Sequence, residues 1–169
     1  MVTFDNVNEY LRFEVNDRLF AVPMSSIVVI LQATEPIKIP EFPEYIAGTV
    51  THEGNIVPVI NSRLRFGYPE AEINNRNVII ICEAEGKCAG ILIDTILSFK
   101  RLAKGEMQPP PNLNNDASSR YLSGVFMDEG DKPCYVIDVL KMFNESDAHI
   151  IPEYKTDDGD ENEEEQEDE

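Results

Sequence analysis

The chain has 169 residues, of which 42% are hydrophobic, 32 acidic and 14 basic. That length and composition supply a real core, in one domain of ordinary size or two very small ones sharing an interface, and exclude a wholly disordered protein. The formal charge of −18 disfavours binding to nucleic acid or to an anionic membrane surface, because a polyanion is held by a basic patch that this chain does not supply.

The charge is uneven: the last 13 residues, 157–169, carry 10 carboxylates and neither Lys nor Arg. No segment reaches the roughly 18 uninterrupted apolar residues of a membrane span. The opening residues, MVTFDNVNEY, lack a basic region followed by an apolar one. A cytoplasmic location without membrane insertion is therefore expected. Cys82, Cys88 and Cys134 are an odd and sparse set with no common zinc spacing, and read as buried small apolar side chains.

Residues 1–9 are polar and read as a flexible arm. From Tyr10 the chain alternates, with Leu11, Phe13 and Val15 opposite Arg12 and Glu14, which is the period of a half-buried strand. Asn16-Asp17 turns the chain, and residues 19–22 return as the second strand of a hairpin. Pro23 and the serines beside it open a helical turn that runs into a β-branched strand over residues 27–31. Three prolines in residues 35–45 remove backbone donors and predict an extended connector.

A further hairpin turns at Glu53-Gly54-Asn55, and Pro58 in its second arm suggests a sheet edge or a bulge. Residues 78–82 and 88–93, joined at Glu85-Gly86, form the clearest hairpin, with another strand at Ile96, Leu97 and Phe99. Pro109-Pro110-Pro111 begins a long loop to residue 119. A last hairpin over residues 122–137 leads to Asp138, which reads as the N-cap of a short helix presenting Val139, Leu140 and Phe143. About ten short strands at regular spacing predict an all-β protein of small barrels or a sandwich. No sequence repeat is evident between the halves.

The chemistry of catalysis is thin. His52, before the Glu53-Gly54 turn, and His149, past the last helix, each read as a packed or solvated histidine, Asp94 and Asp138 are more simply turn or cap residues than an acid–base couple, and there is no phosphate loop. No catalytic residue, metal or cofactor is expected. The acidic end reads first as a solubilising, disordered tail, with binding to a basic partner as the alternative, the folded part then being only its carrier. The apolar run 27–31 is core or a surface kept open for a partner.

The ordered pieces Tyr10-Leu-Arg-Phe-Glu-Val-Asn-Asp17, Phe20-Ala-Val, Pro43-Glu-Tyr-Ile-Ala-Gly48 and Gly54-Asn-Ile-Val-Pro58-Val-Ile-Asn61-Ser-Arg63 belong together. With Gly90-Ile-Leu-Ile-Asp94, Tyr121-Leu-Ser-Gly124 and Ile137-Asp138-Val-Leu-Lys-Met-Phe143, they resemble the CheW family of chemotaxis coupling proteins from Tyr10 to about Asn144. The resemblance implies two packed five-stranded SH3-like β-barrels around a hydrophobic groove, with one or two short helices and no enzymatic activity. It implies a domain over residues 10–149, in subdomains of about 10–75 and 76–149 that can exchange strands; the acidic tail over residues 150–169, read as disordered from its composition, lies outside the family pattern.

It further implies an adaptor at membrane-associated receptor arrays. The implied partners are the cytoplasmic tip of a methyl-accepting chemoreceptor and the regulatory domain of a CheA-type histidine kinase. The surfaces carried over are Ile27, Val29, Ile30, Gly48, the turn at Glu53 and Gly54, and Phe99. The family commonly has Glu where this chain has Val29, and Asn-Leu-Arg-Gly where it has Thr51-His52-Glu53-Gly54. Reversal of charge at Glu53 predicts a partner of matched, altered charge.

Overall fold

The computed structural model describes residues 8–110 and 120–155. The expectations for residues 1–7, for 111–119 of the proline-led loop and for 156–169 of the tail lie outside the described residues. Ten strands carry the fold: β1 Glu9–Val15, β2 Arg18–Pro23, β3 Ile27–Gln32, β4 Ile46–His52, β5 Asn55–Asn61, β6 Val78–Ala84, β7 Lys87–Ile93, β8 Thr95–Arg101, β9 Leu122–Asp128 and β10 Lys132–Ile137. One α-helical turn, α1 (Ser62–Arg65), follows β5, and 3-10 turns occupy Met24–Ser26, Val139–Met142 and Glu145–Ile150.

The hairpins form where turn chemistry permits them. Asn16 and Asp17 sit at φ 51° and 61°, Glu53 and Gly54 at 48° and 79°, and Glu85 and Gly86 at 53° and 79°. Paired positive φ values give the two-residue turn whose twist matches the flanking strands.

Two five-stranded sheets result, ordered β8-β1-β2-β10-β9 (sheet A) and β3-β6-β7-β5-β4 (sheet B). Neither expected half, 10–75 or 76–149, makes a sheet by itself. The hairpin β1–β2 of the first half joins β8, β9 and β10 of the second, while β6–β7 of the second joins β3, β4 and β5 of the first. Strand exchange is thus reciprocal, and each exchanged hairpin is tied to its host by one parallel pairing, β2 with β10 and β5 with β7.

The two halves are structural repeats. Ala33 N donates to Asn77 O as Leu102 N donates to Asn8 O, Asn61 N to Tyr45 O as Asp138 N to Tyr121 O, and Ile37 bridges Thr49 as Gln108 bridges Val125. The repeat is one of structure, where no sequence repeat was evident. Tyr45-Ile-Ala-Gly48 corresponds to Tyr121-Leu-Ser-Gly124 and Val59-Ile60-Asn61 to Val136-Ile137-Asp138, fragments too short to stand out before the strands are superposed.

The largest core lies between the sheets. Leu11, Phe13, Val15, Phe20 and Val22 of sheet A meet Ile46, Ile60, Ile80, Ile91 and Ile93 of sheet B, closed by Met142 and Phe143. Smaller clusters cover the other face of each sheet, Phe126, Cys134 and Val136 in sheet A and Val57, Ile79 and Ile81 in sheet B. Burial on both faces explains the unbroken apolar run of β6, in which alternation has no polar side to show.

Three expectations are corrected. Pro58 lies in an interior strand and not at a sheet edge, while the other alternative, a bulge, is present beside it in the β4–β5 pairing between Ile46 and Gly48; opposite Pro58, Thr49 gives both backbone groups to Ile37, so no bond between β4 and β5 is lost there. The Asp138 side chain caps nothing, and a 3-10 turn takes the place of a helix, with its first bond running from Lys141 N to the Asp138 carbonyl. The boundary at residue 150 also moves, because residues 150–155 are held on sheet B. Ile150 and Ile151 pack on the main core and Glu153 bridges Lys87.

Candidate functional site

The seven residues singled out from sequence fall into three groups at three sheet edges. Ile27, Val29 and Ile30 lie on β3, the outer strand of sheet B; Gly48, Glu53 and Gly54 lie on β4 and its turn at the opposite end of that sheet's order; Phe99 lies on β8, the outer strand of sheet A.

Strand register assigns their faces. Ile30 stands opposite Ile80 and Ile27 opposite Cys82, both in the inter-sheet core, whereas Val29 stands opposite Ile81. A bulge between Ile27 and Val29 produces this switch, so Val29 packs half-buried on the far side with Val28 and Leu31. Phe99 stands opposite Leu11 and Ile96 opposite Phe13. Each outer strand therefore turns one half-buried and one exposed apolar residue toward the inter-sheet face. Ile27 and Ile30 are the equivalents of Ile96 and Phe99 in the repeat. Ile30 is 37% exposed and Phe99 56%. Large apolar side chains thus stand exposed in matched places on two edge strands.

Gly48 is buried and sits at φ 148°, where an added Cβ would lie 2.3 Å from the Ile37 carbonyl oxygen. Its part is to let the 35–45 connector close on β4. Glu53 and Gly54 are exposed at the hairpin tip, with His52 Nε2 4.0 Å from the Glu53 carboxylate. Sequence reasoning missed Ile37 and Ile56, 71% and 63% exposed. Both lie on the same face of the hairpin, Ile37 opposite Thr49 and Ile56 opposite Thr51. The alternation Ile56-Pro58-Ile60 reads as one buried row, and only the end of β5 nearer the turn leaves it.

Two polar clusters hold these edges in place. Asp94, at the crossing from β7 to β8, takes a fork of hydrogen bonds from Arg63 at 3.0 and 2.7 Å and another from Asn16 N at 2.8 Å. One carboxylate thus links α1 of sheet B to the first turn of sheet A, and it raises the Arg63 pKa above its ordinary value against the opposing effect of burial. Arg65 lies over the Tyr45 and Tyr121 rings at 4.9 and 5.2 Å and donates to Met142 O. Burial, then a hydrogen bond to Asp147, pushes the Tyr45 phenol up to about 12, outweighing the opposing Asn144 N–H and Arg65 charge.

His149 Nδ1 lies 3.1 Å from Ser146 O. Burial raises all three thiols, Cys82 and Cys134 to about 12, so they are neutral side chains. Among the described residues no group of three His, Cys, Asp or Glu is placed to hold a metal, and no helix is long and apolar enough to cross a membrane.

Comparison with known proteins agrees with this geometry. Residues 9–147 match the model of the CheW-like domain. The chemotaxis protein CheW of Rhizobium meliloti is 27% identical over 128 residues, covering 76% of this chain and 83% of the relative. Protein FrzA of Myxococcus xanthus is 29% identical over 124 residues, covering 73% and 77%. The crystal structure of the scaffolding protein TtCheW from Thermoanaerobacter tengcongensis superposes with a TM-score of 0.76 at 23% identity, covering 86% of this chain and 99% of that one. With its two exchanged sheets, its apolar edges and a family match over most of its length, the chain belongs to the CheW-like family of chemotaxis scaffold proteins.

Proposed function

We propose that this protein couples chemoreceptor signalling tips to a CheA-type histidine kinase as a non-enzymatic adaptor in the cytoplasm, at membrane-associated receptor arrays. The observation that carries the reading is the equivalence of Ile30 and Phe99, two exposed apolar residues on matched edge strands at the inter-sheet face. Such a surface suits a receptor tip made of two antiparallel helices, whose own near-twofold symmetry places an apolar stripe at each strand. Ile27 supports Ile30, and Val29 serves from behind by fixing the bulge. The kinase regulatory domain docks elsewhere, on the β4–β5 hairpin shaped by Gly48 and tipped by Glu53 and Gly54.

Separable defects test the assignment. Ile30→Asp and Phe99→Asp should each weaken receptor-tip binding by about tenfold or more, the scale of an interface hot spot, and leave kinase binding unchanged. Glu53→Arg should do the reverse. Calorimetry showing both partners bound as tightly by all three variants as by the parent would refute the site assignment.

A further inference from the structure

The two repeats differ where β5 meets β7, and the difference reaches the tip of the β4–β5 hairpin. In sheet A the parallel pairing extends to Leu19 opposite Cys134. In sheet B it begins only at Val59 opposite Gly90. Pro58 accounts for the shorter ladder: because Thr49 opposite it bonds to Ile37 on the far side, the backbone of Pro58 faces β7, where it brings no N–H. Residues 152–155 occupy the gap between the heads of β5 and β7. Cys88 N donates to Pro152 O at 3.3 Å, Tyr154 N donates to Gly86 O at 2.7 Å, and Tyr154 packs on the outer cluster of sheet B.

One side chain joins this segment to the hairpin tip. Asn55, directly after the Glu53-Gly54 turn, is buried. Its amide donates to the Lys155 carbonyl at 2.9 Å and to the Glu53 carbonyl at 3.3 Å, and its oxygen accepts from Lys155 N at 3.0 Å. The equivalent first residue of β10 in sheet A, Lys132, is exposed. Glu53 holds φ 48°, a left-handed backbone that a residue with a side chain adopts at a cost, so a bond to its carbonyl steadies the turn. Segment 152–155 therefore ties two turns together, Glu53-Gly54 through Asn55 and Glu85-Gly86 through Tyr154 N. Charges of both signs stand exposed around the tip, Glu53 and Lys155 at it and Lys38 beside Ile37, whereas the clamp itself is neutral and acts on shape.

We propose that Asn55 is a positioning residue for kinase docking: by clamping residues 152–155 across the heads of β5 and β7, it holds the Glu53-Gly54 turn in the conformation that the kinase regulatory domain meets. This rests on reading the hairpin as the kinase face and names the residue that gives the face its shape. A turn fixed before binding need not be ordered on binding, so loss of the clamp lowers affinity without removing a contact. The bonds of the clamp lie on β5 and the β6–β7 hairpin, on other strands than Ile30 and Phe99, so the receptor face is left as it was.

The test is calorimetry on the full chain, with the kinase regulatory domain and, separately, with the receptor tip. Asn55→Ala should bind the kinase domain about tenfold or more weaker and the receptor tip as tightly as the parent does. Lys155→Ala keeps the backbone groups that Asn55 holds and should stay within about twofold of the parent for the kinase domain. Lys155→Pro, which removes the N–H that Asn55 accepts, should bind it about tenfold weaker than Lys155→Ala does, and equally so at high salt because the two variants carry the same charge. Amide hydrogen exchange at residues 53–56 should quicken in Asn55→Ala and Lys155→Pro and keep the parent's rate in Lys155→Ala. A parent that binds the kinase domain while Asn55→Ala and Lys155→Pro bind it as tightly overturns the positioning role alone, and so do variants that lose both partners alike, which marks damage to the fold. A parent that does not bind the kinase domain overturns the docking reading, and the positioning role falls with it.

Discussion

At the scale of single residues, polar groups that look incidental in sequence hold the fold's long-range contacts. Asp94 and Asp138 read alike as residues after strands; only Asp94 receives the Arg63 fork, and no local pattern distinguishes them because the partner lies in another element. Asp128 is a second case. Its side chain is 4% exposed and lies 2.6 Å from Arg12 and 3.5 Å from Lys100. Burial alone would raise its pKa, but the Arg12 hydrogen bond, the Glu129 N–H and the two positive charges outweigh it and hold the carboxyl below its ordinary value. A depressed pKa in the folded state means stability that is present above the unfolded carboxyl pKa, about 3.9, and is lost as pH falls through the folded value. Asp128→Asn should therefore cost about 1–3 kcal/mol at pH 7. Its cost should shrink below pH 4, as read from denaturant midpoints across that range.

At the scale of elements, the hairpins were legible because Asn16-Asp17, Glu53-Gly54 and Glu85-Gly86 are residues that adopt positive φ between alternating apolar runs. What was not legible is which hairpin joins which sheet, since that choice is made by pairing between strands far apart in the chain. The bulge in β3 was equally hidden: Ile27, Val29 and Ile30 look like one apolar run, yet Val29 faces away from the other two. The repeat explains why Gly48 and Gly124 are both glycine beside a bridged residue, and it also separates them. A Cβ on Gly48 meets the Ile37 backbone, whereas one on Gly124 meets the Met107 sulfur, the flexible part of a side chain, at 2.5 Å. Gly48→Ala should thus destabilise by about 1–3 kcal/mol more than Gly124→Ala. Equal unfolding midpoints for the two variants would mean that the connector yields as easily as a methionine.

At the scale of the whole molecule, reciprocal exchange of β1–β2 and β6–β7 makes the inter-sheet core shared property of both repeats, so neither five-stranded unit is built from one half of the chain alone. The all-β class, the two sheets and the adaptor role followed from strand spacing and from the ordered family pieces. The exposed Ile37 and Ile56 and the anchored residues 152–155 did not, because solvent exposure at a strand end and a backbone clamp leave no periodicity in sequence.

The central claim is that two separate faces of one domain hold two partners together, and simultaneous binding tests it most directly. The full chain, saturated with the regulatory domain of the CheA-type kinase from the same source, is titrated calorimetrically with the cytoplasmic tip of a chemoreceptor from that source. The account predicts micromolar or tighter binding of each partner alone and an affinity for the receptor tip that the bound kinase domain leaves undiminished. Mutual exclusion of the two partners, or failure of either to bind at high concentration, would contradict it.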